Sequence, residues 1–345
     1  MFSVVQLLFV LFAANSYNFP LILKILAFKT KYSKSVEKYQ SYFSLWNNKD
    51  VIFMQWYYLA LISALFSASA AIMEKKTLFK ERALEFSAVL AIFNVLLSIP
   101  FISQIDFSAL PIPALAVLFG KSILGMTAFL FIMHGIKNLE ISGALPILVL
   151  TPGFVAFFAF LLLKETLSMG QVGGLVLLLV GTYVLQMAHE KDLLAPFKIF
   201  GKSKGHRYLL GALIIFTITS ILDKWLLRDF KLPPYTMLTF QHLFLGINFF
   251  ILTLIRRKSA VSLVKTFKNS WKPILLISAF TIIYRLTQIL AVKSGSVALV
   301  LALKRVSVFF AVVIGGQLFK EHFLRRKTIA TLIMLAGAAL VIILK

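Results

Sequence analysis

The chain has no cysteine, and Asp and Glu together number only 13 in 345 residues. Without cysteine there can be no disulfide, no thiolate nucleophile and no Cys-ligated metal. The shortage of acid matters more, because Lys and Arg number 36 and the formal charge is +23. No nucleophile–base set, no metal-ligand cluster and no Gly-rich phosphate loop can be picked out. The chain is read as a non-enzyme that needs no metal or cofactor. In a soluble protein this basic excess would point to nucleic acid. Here most Lys and Arg fall between apolar segments, where they set topology and meet anionic lipid headgroups. The expected partners are membrane lipids and a small-molecule substrate, with no nucleic acid; whether the protein is a monomer or a homodimer stays open.

What the chain has in abundance is apolar length. Hydrophobic residues make up 60% of it and the mean hydropathy is +0.90. Apolar runs of about 18 residues or more recur, the length that a bilayer core of roughly 30 Å demands. The expected fold is an all-α membrane protein with ten transmembrane helices, at 56–73, 83–100, 111–135, 142–163 and 170–188, then 208–227, 234–255, 273–292, 296–319 and 328–344.

The two sets of five repeat one another. Ile136-Lys137 opens a stretch that reaches Lys164-Glu165 and Gly181, and Val292-Lys293 opens another that reaches Lys320-Glu321 and Gly337, at a constant offset of 156 positions. Ile72-Met73-Glu74-Lys75 likewise resembles Ile221-Leu222-Asp223-Lys224. Because each unit has an odd number of spans, the two enter the membrane from opposite sides, giving an inverted repeat of the kind that transporters rock about a central site. The domains are then 54–188, a basic linker at 189–206, and 207–345.

Residues 1–53 stand outside the repeat. Val4 to Phe28 is apolar enough for an extra span, though Asn15, Asn18, Pro20 and Lys24 interrupt it. Met54, where the repeat begins, is an alternative start. The loops after the odd-numbered spans carry most of the Lys and Arg. The positive-inside rule then puts the linker in the cytoplasm and the C-terminus outside.

The order Ala144-Leu145-Pro146, Thr151-Pro152, Lys164-Glu165, Gly173-Gly174 and Gly181 resembles the EamA repeat of the drug/metabolite transporter superfamily. Ala298 to Leu303, Lys304-Arg305-Val306-Ser307, Lys320-Glu321 and Gly337 resemble it again. The resemblance implies a multi-pass transporter of the cytoplasmic (inner) membrane. It leaves substrate open among amino acids, sugar phosphates, nucleotide sugars and drugs. It also implies both termini in the cytoplasm, against the charge count, so orientation is left open. The phosphate-translocator branch is similar in placing a Lys-Arg pair on its ninth helix, but it also uses a Lys on its fourth. Ile147 to Thr151 supplies none.

Four cations stand deep in the expected spans: Lys121, Arg285, Lys304 and Arg305. Each lies roughly nine residues or more, about 13 Å, from the nearest expected helix end. A charge at that depth costs at least about 2.5–3.5 kcal/mol, so it faces a wet cavity or a partner. Glu74, Asp223 and the other acids fall near expected helix ends, which leaves the substrate as the missing anion. Tyr284 and Gln288 share the helix of Arg285 and join the candidate substrate-binding set. Lys304 and Arg305 are about 100° apart on a helix, so only one is expected to point fully into the cavity. Bare cations would also resist closure of an empty site, favouring exchange over net transport.

Pro152, in the middle of the fourth expected span, is the candidate hinge, since Pro removes a backbone hydrogen bond and kinks a helix. Lys164-Glu165 and Lys320-Glu321 are read as structural helix-ending signals. Ser63, Ser67, Asn94, Gln241 and Asn248 are read as interhelical glue, and His242 as a hydrogen-bonded packing residue in preference to a proton relay. The favoured function is secondary transport of a small anionic or zwitterionic metabolite (organic phosphate, carboxylate or amino acid) by alternating access. The alternatives are a proton-coupled exporter of drugs or neutral metabolites, and a flippase for a lipid-carrier phosphate.

Overall fold

The computed structural model describes residues 55–138, 150–186, 204–307 and 324–344. The expected extra span in 1–53, most of the linker, and Lys320-Glu321 lie outside the described residues. The described residues are helical, without a strand: α1 (Trp56–Leu78), α2 (Ala83–Ser98) running into a 3-10 turn (Ile99–Gln104), α3 (Ile112–Asn138), α4 (Thr151–Leu163), α5 (Met169–Gln186), α6 (Lys204–Arg228), α7 (Pro234–Ile255), α8 (Arg257–Ser294), α9 (Val297–Lys304) and α10 (Leu324–Ile343).

Six helices among the described residues are long and apolar enough to cross a membrane: Trp56–Leu78, Ala83–Gln104, Ile112–His134, Arg207–Arg228, Pro234–Ile255 and Ser262–Ser294. Thr151–Leu163, Met169–Val184 and Leu332–Ile343 are shorter apolar helices. Large apolar side chains such as Phe157, Phe160 and Leu162 point outward and are exposed. In water that surface would be costly, but lipid tails are as apolar as the side chains and exact no penalty.

Three expectations need correcting. Pro152 does not sit mid-helix among the described residues. The helix begins at Thr151 after an N-cap at Leu150, so Pro152 lies in the first turn, where its missing N–H is an orphan in any case. Conversely, Pro273 does not begin a helix but lies inside the 38-residue α8. Its ring removes the bond to the carbonyl of Asn269, an exposed residue whose oxygen can be solvated. The flanking turns are pinned from outside: the Thr266 and Ser270 hydroxyls each donate to Glu81, at 2.6 Å. Lastly, the expected span at 296–319 is interrupted: α9 has Arg305 as its C-cap, Val306 and Ser307 are helical again, and residues 308–323 lie outside the described set.

The most extensive helix contacts join one half of the sequence to the other: α5 to α10, α1 and α2 to α8, α3 to α6, and α2 and α3 to α7. The α5–α10 seam explains the repeated glycines. A Cβ on Gly174 would stand 2.8 Å from the Gly337 carbonyl oxygen, and one on Gly181 would stand 3.0 Å from that of Ala330. A Cβ on Gly337 would meet the Leu178 nitrogen at 2.7 Å, and one on Gly181 the Met334 nitrogen at 2.8 Å. These contacts run in opposite directions along the two helices, so α5 and α10 are antiparallel. They are also reciprocal. Shifted by the repeat offset, Gly174 corresponds to Ala330, Leu178 to Met334 and Gly181 to Gly337, so each contact has its counterpart across a local two-fold axis. Small residues, here three glycines and Ala330, let two helix backbones approach this closely.

Candidate functional site

At one end of the bundle, Lys164 closes α4 in the left-handed conformation (φ 53°). This turns the chain so that Glu165 reaches the second half. Its carboxylate accepts from the Ser296 hydroxyl at 2.8 Å and the Val297 amide at 3.2 Å, capping α9 from another element. Acid at a helix N-terminus meets both the orphan amides and the dipole. Lys224 of α6 lies 3.5 Å from the same carboxylate and donates to the Val292 and Gly295 carbonyls at the end of α8. Arg228 donates to the Leu163 carbonyl at 2.6 Å. The expected structural role of Lys164-Glu165 thus has a concrete form: it ties α4, α6, α8 and α9 together.

Inward from this tie lies a cavity of about 330 Å³ bordered by residues of α1–α4 and α6–α9 and by the turn after α9. Among the described residues, α5 and α10 contribute nothing to its wall. All six residues of the expected binding set border it or its immediate wall: Lys121, Tyr284, Arg285, Gln288, Lys304 and Arg305. Both Lys304 and Arg305 border it, at the point where α9 ends and Arg305 forms its C-cap. Thr151 also borders the cavity, one residue from Pro152, which is buried.

The acids were misplaced by the sequence reading. Glu74 and Asp223 both border the cavity; α1 runs on past Glu74 to Leu78, and Asp223 lies inside α6, five residues before its end at Arg228. The deep cations are therefore not left for substrate alone. Asp223 Oδ1 contacts the Lys121 ammonium, and its Oδ2 lies 3.4 Å from Arg285 Nη2. Gln241 Oε1 accepts from Lys121 at 3.0 Å and from Arg285 at 2.8 Å. Lys304 donates to Gln288 at 2.6 Å and sits 4.5 Å from the Tyr284 ring centroid, a cation–π contact. With all ionised, four basic side chains face two carboxylates, an excess of two positive charges. One signal for the acids was present in the sequence: Glu74-Lys75 and Asp223-Lys224 are matched positions of the repeat.

Donors remain unused around the cluster. Arg285 Nε is buried without an acceptor, and neither ring nitrogen of His242 has a hydrogen-bond partner among the described residues. His242 borders the cavity and is 2% exposed, so it is not the hydrogen-bonded packing residue expected. Of the expected glue residues, Gln241 instead joins the cavity cations and Ser67 borders the cavity, while three others bond between helices. Ser278 donates to Asn94 at 2.6 Å, Asn248 to Ser122 at 2.7 Å, and Ser63 to the Tyr284 carbonyl at 2.9 Å.

Set against known proteins, residues 54–187 match the model of the EamA-like transporter family, and residues 203–343 match it a second time. The chain belongs to the EamA-like transporter family. It is therefore a multi-pass membrane transporter of the drug/metabolite type with a two-repeat architecture. No curated protein matched it. A solved structure described only as a crystal structure of a protein is similar, with a TM-score of 0.62 and 16% identity over 83% of this chain and 96% of that one. At that identity the likeness concerns the fold of the transporter alone.

Proposed function

We propose that this EamA-family transporter is a secondary carrier of a small anionic or zwitterionic metabolite, such as an organic phosphate, a carboxylate or an amino acid. Two inverted five-helix repeats would expose the cavity to each side of the membrane in turn. The observation that carries the reading is the convergence of Lys121, Arg285, Lys304 and Arg305 on one cavity, where they outnumber the carboxylates. Arg offers two parallel hydrogen bonds to a carboxylate or phosphate, and Lys adds a point charge. The volume lies at the small end of ligand pockets, about 300–1,000 Å³, which suits a metabolite better than a lipid-carrier phosphate.

A ligand that binds only the folded state raises its melting temperature. Anionic metabolites should therefore stabilise the purified transporter, and Arg305→Ala should abolish both that stabilisation and transport. Stabilisation by cations alone, or unchanged transport by Arg305→Ala, would overturn the assignment. A second reading gains from the placement of Glu74 and Asp223 at the cavity, since a proton-coupled exporter needs a membrane-embedded carboxylate. Resistance of expressing cells to cationic dyes, lost in Glu74→Gln, would favour it.

A further inference from the structure

We propose that Asp223 is a tethered competitor for the substrate: in the empty transporter its carboxylate occupies the anion site of Arg285 and Lys121, and the substrate's anionic group displaces it from Arg285. This rests on the proposed anion-transport reading and adds the step by which the site is emptied and filled.

The geometry divides the cluster into a tight side and a loose side. Toward Lys121 the carboxylate is in direct contact, and both residues are buried. Toward Arg285 the approach is 3.4 Å from a single nitrogen, beyond the roughly 2.7–2.9 Å of a good charge-assisted bond. Among the described residues Arg285 Nε has no acceptor, and neither nitrogen of the cavity residue His242 has a partner. A guanidinium is built for two parallel bonds to one planar or tetrahedral anion. Asp223, held on α6 and committed to Lys121, gives it less than one. A free carboxylate or phosphate can take Nε and Nη2 together and replace the weak contact with two strong ones. The unused donors are those an incoming oxygen anion would satisfy, and leaving them unmet is costly in a buried site.

Asp223 also changes what an empty cavity is. With the carboxylate in place, Lys121 and Arg285 are partly neutralised without substrate, so closing the empty site does not dehydrate bare charge. Removing the carboxylate should make the site greedier for anions. A purely structural acid predicts the reverse, because its loss would disorder the cations.

The test is phosphate-dependent thermal stabilisation of the purified full-length transporter, comparing wild type, Asp223→Asn and the pair Lys121→Gln/Asp223→Asn at constant ionic strength. The general salting effect of phosphate on exposed surface is common to all three. Asp223→Asn should reach half-maximal stabilisation at about one-tenth the phosphate needed by wild type, the scale of one charge-assisted bond. The double variant should shift in the same direction by less, since Arg285 is freed while Lys121 is lost. An unmoved or raised midpoint in Asp223→Asn overturns the competitor role while leaving anion transport standing. Failure of both variants to fold also overturns it, marking Asp223 as a structural strut. Failure of the transport reading shows itself separately, as wild-type protein that no anionic metabolite stabilises.

Discussion

Arg285 meets one acid and one amide of the cavity, Asp223 and Gln241. It shares Gln241 with Lys121 and Asp223 with the same lysine, yet keeps Nε free. Replacing it by Lys keeps the charge and removes the fork. Arg285→Lys should therefore raise the anion concentration for half-maximal uptake about tenfold without lowering the melting temperature of the empty protein. Proteoliposome uptake alongside thermal unfolding checks both. The deep cations were legible from sequence because a membrane makes buried charge conspicuous. Glu74 was not, because an end read from hydropathy at position 73 falls short of the Leu78 that α1 reaches. Asp223 was not, because an acid five residues inside the end of α6 gives no sign in the sequence of which cations pack against it. His242 was visible as a residue within its span but read as hydrogen-bonded, because a sequence places an imidazole in a helix without showing whether anything bonds it.

Helices carry their own constraint at the seam between α5 and α10. Gly173 and Gly174 are neighbours with opposite surroundings: a Cβ on Gly173 meets nothing within 4 Å, while one on Gly174 meets Gly337 and Val341 at 2.8 Å. Gly174→Ala should destabilise the transporter by about 1–3 kcal/mol through overpacking against backbone. Gly173→Ala should stabilise it by roughly 0.5–1 kcal/mol through helix propensity. Thermal unfolding in one detergent distinguishes them, and equal effects would mean the seam is not close-packed. The motif glycines were visible in sequence; which of an adjacent pair faces the other helix was not, because that depends on the rotation of both helices. The same limit applies to Glu165, legible as a helix-ending signal while its capping of α9, 131 positions away, was not.

For the whole molecule, the partial neutralisation of Lys121 and Arg285 by Asp223 predicts that an empty carrier resists closure less than bare cations alone would make it. Wild-type protein in proteoliposomes should support net efflux into a substrate-free medium at a rate comparable to exchange. Asp223→Asn should retain exchange while net efflux falls about tenfold, the scale of closing over one more uncompensated charge. Equal ratios in the two proteins would show that the carboxylate plays no part in the return step. Halves that interlock as these do, α8 against α1 and α2 and α6 against α3, make such a return a motion of the entire bundle.

The seam carries one more consequence. Each of its close contacts is answered by a rotated counterpart, so it joins two copies of a single surface rather than two surfaces fitted to each other. A free five-helix unit bearing that surface would meet its own duplicate in the same way. The α5–α10 contact thus has the self-complementary form of a homodimer interface, enclosed within one polypeptide.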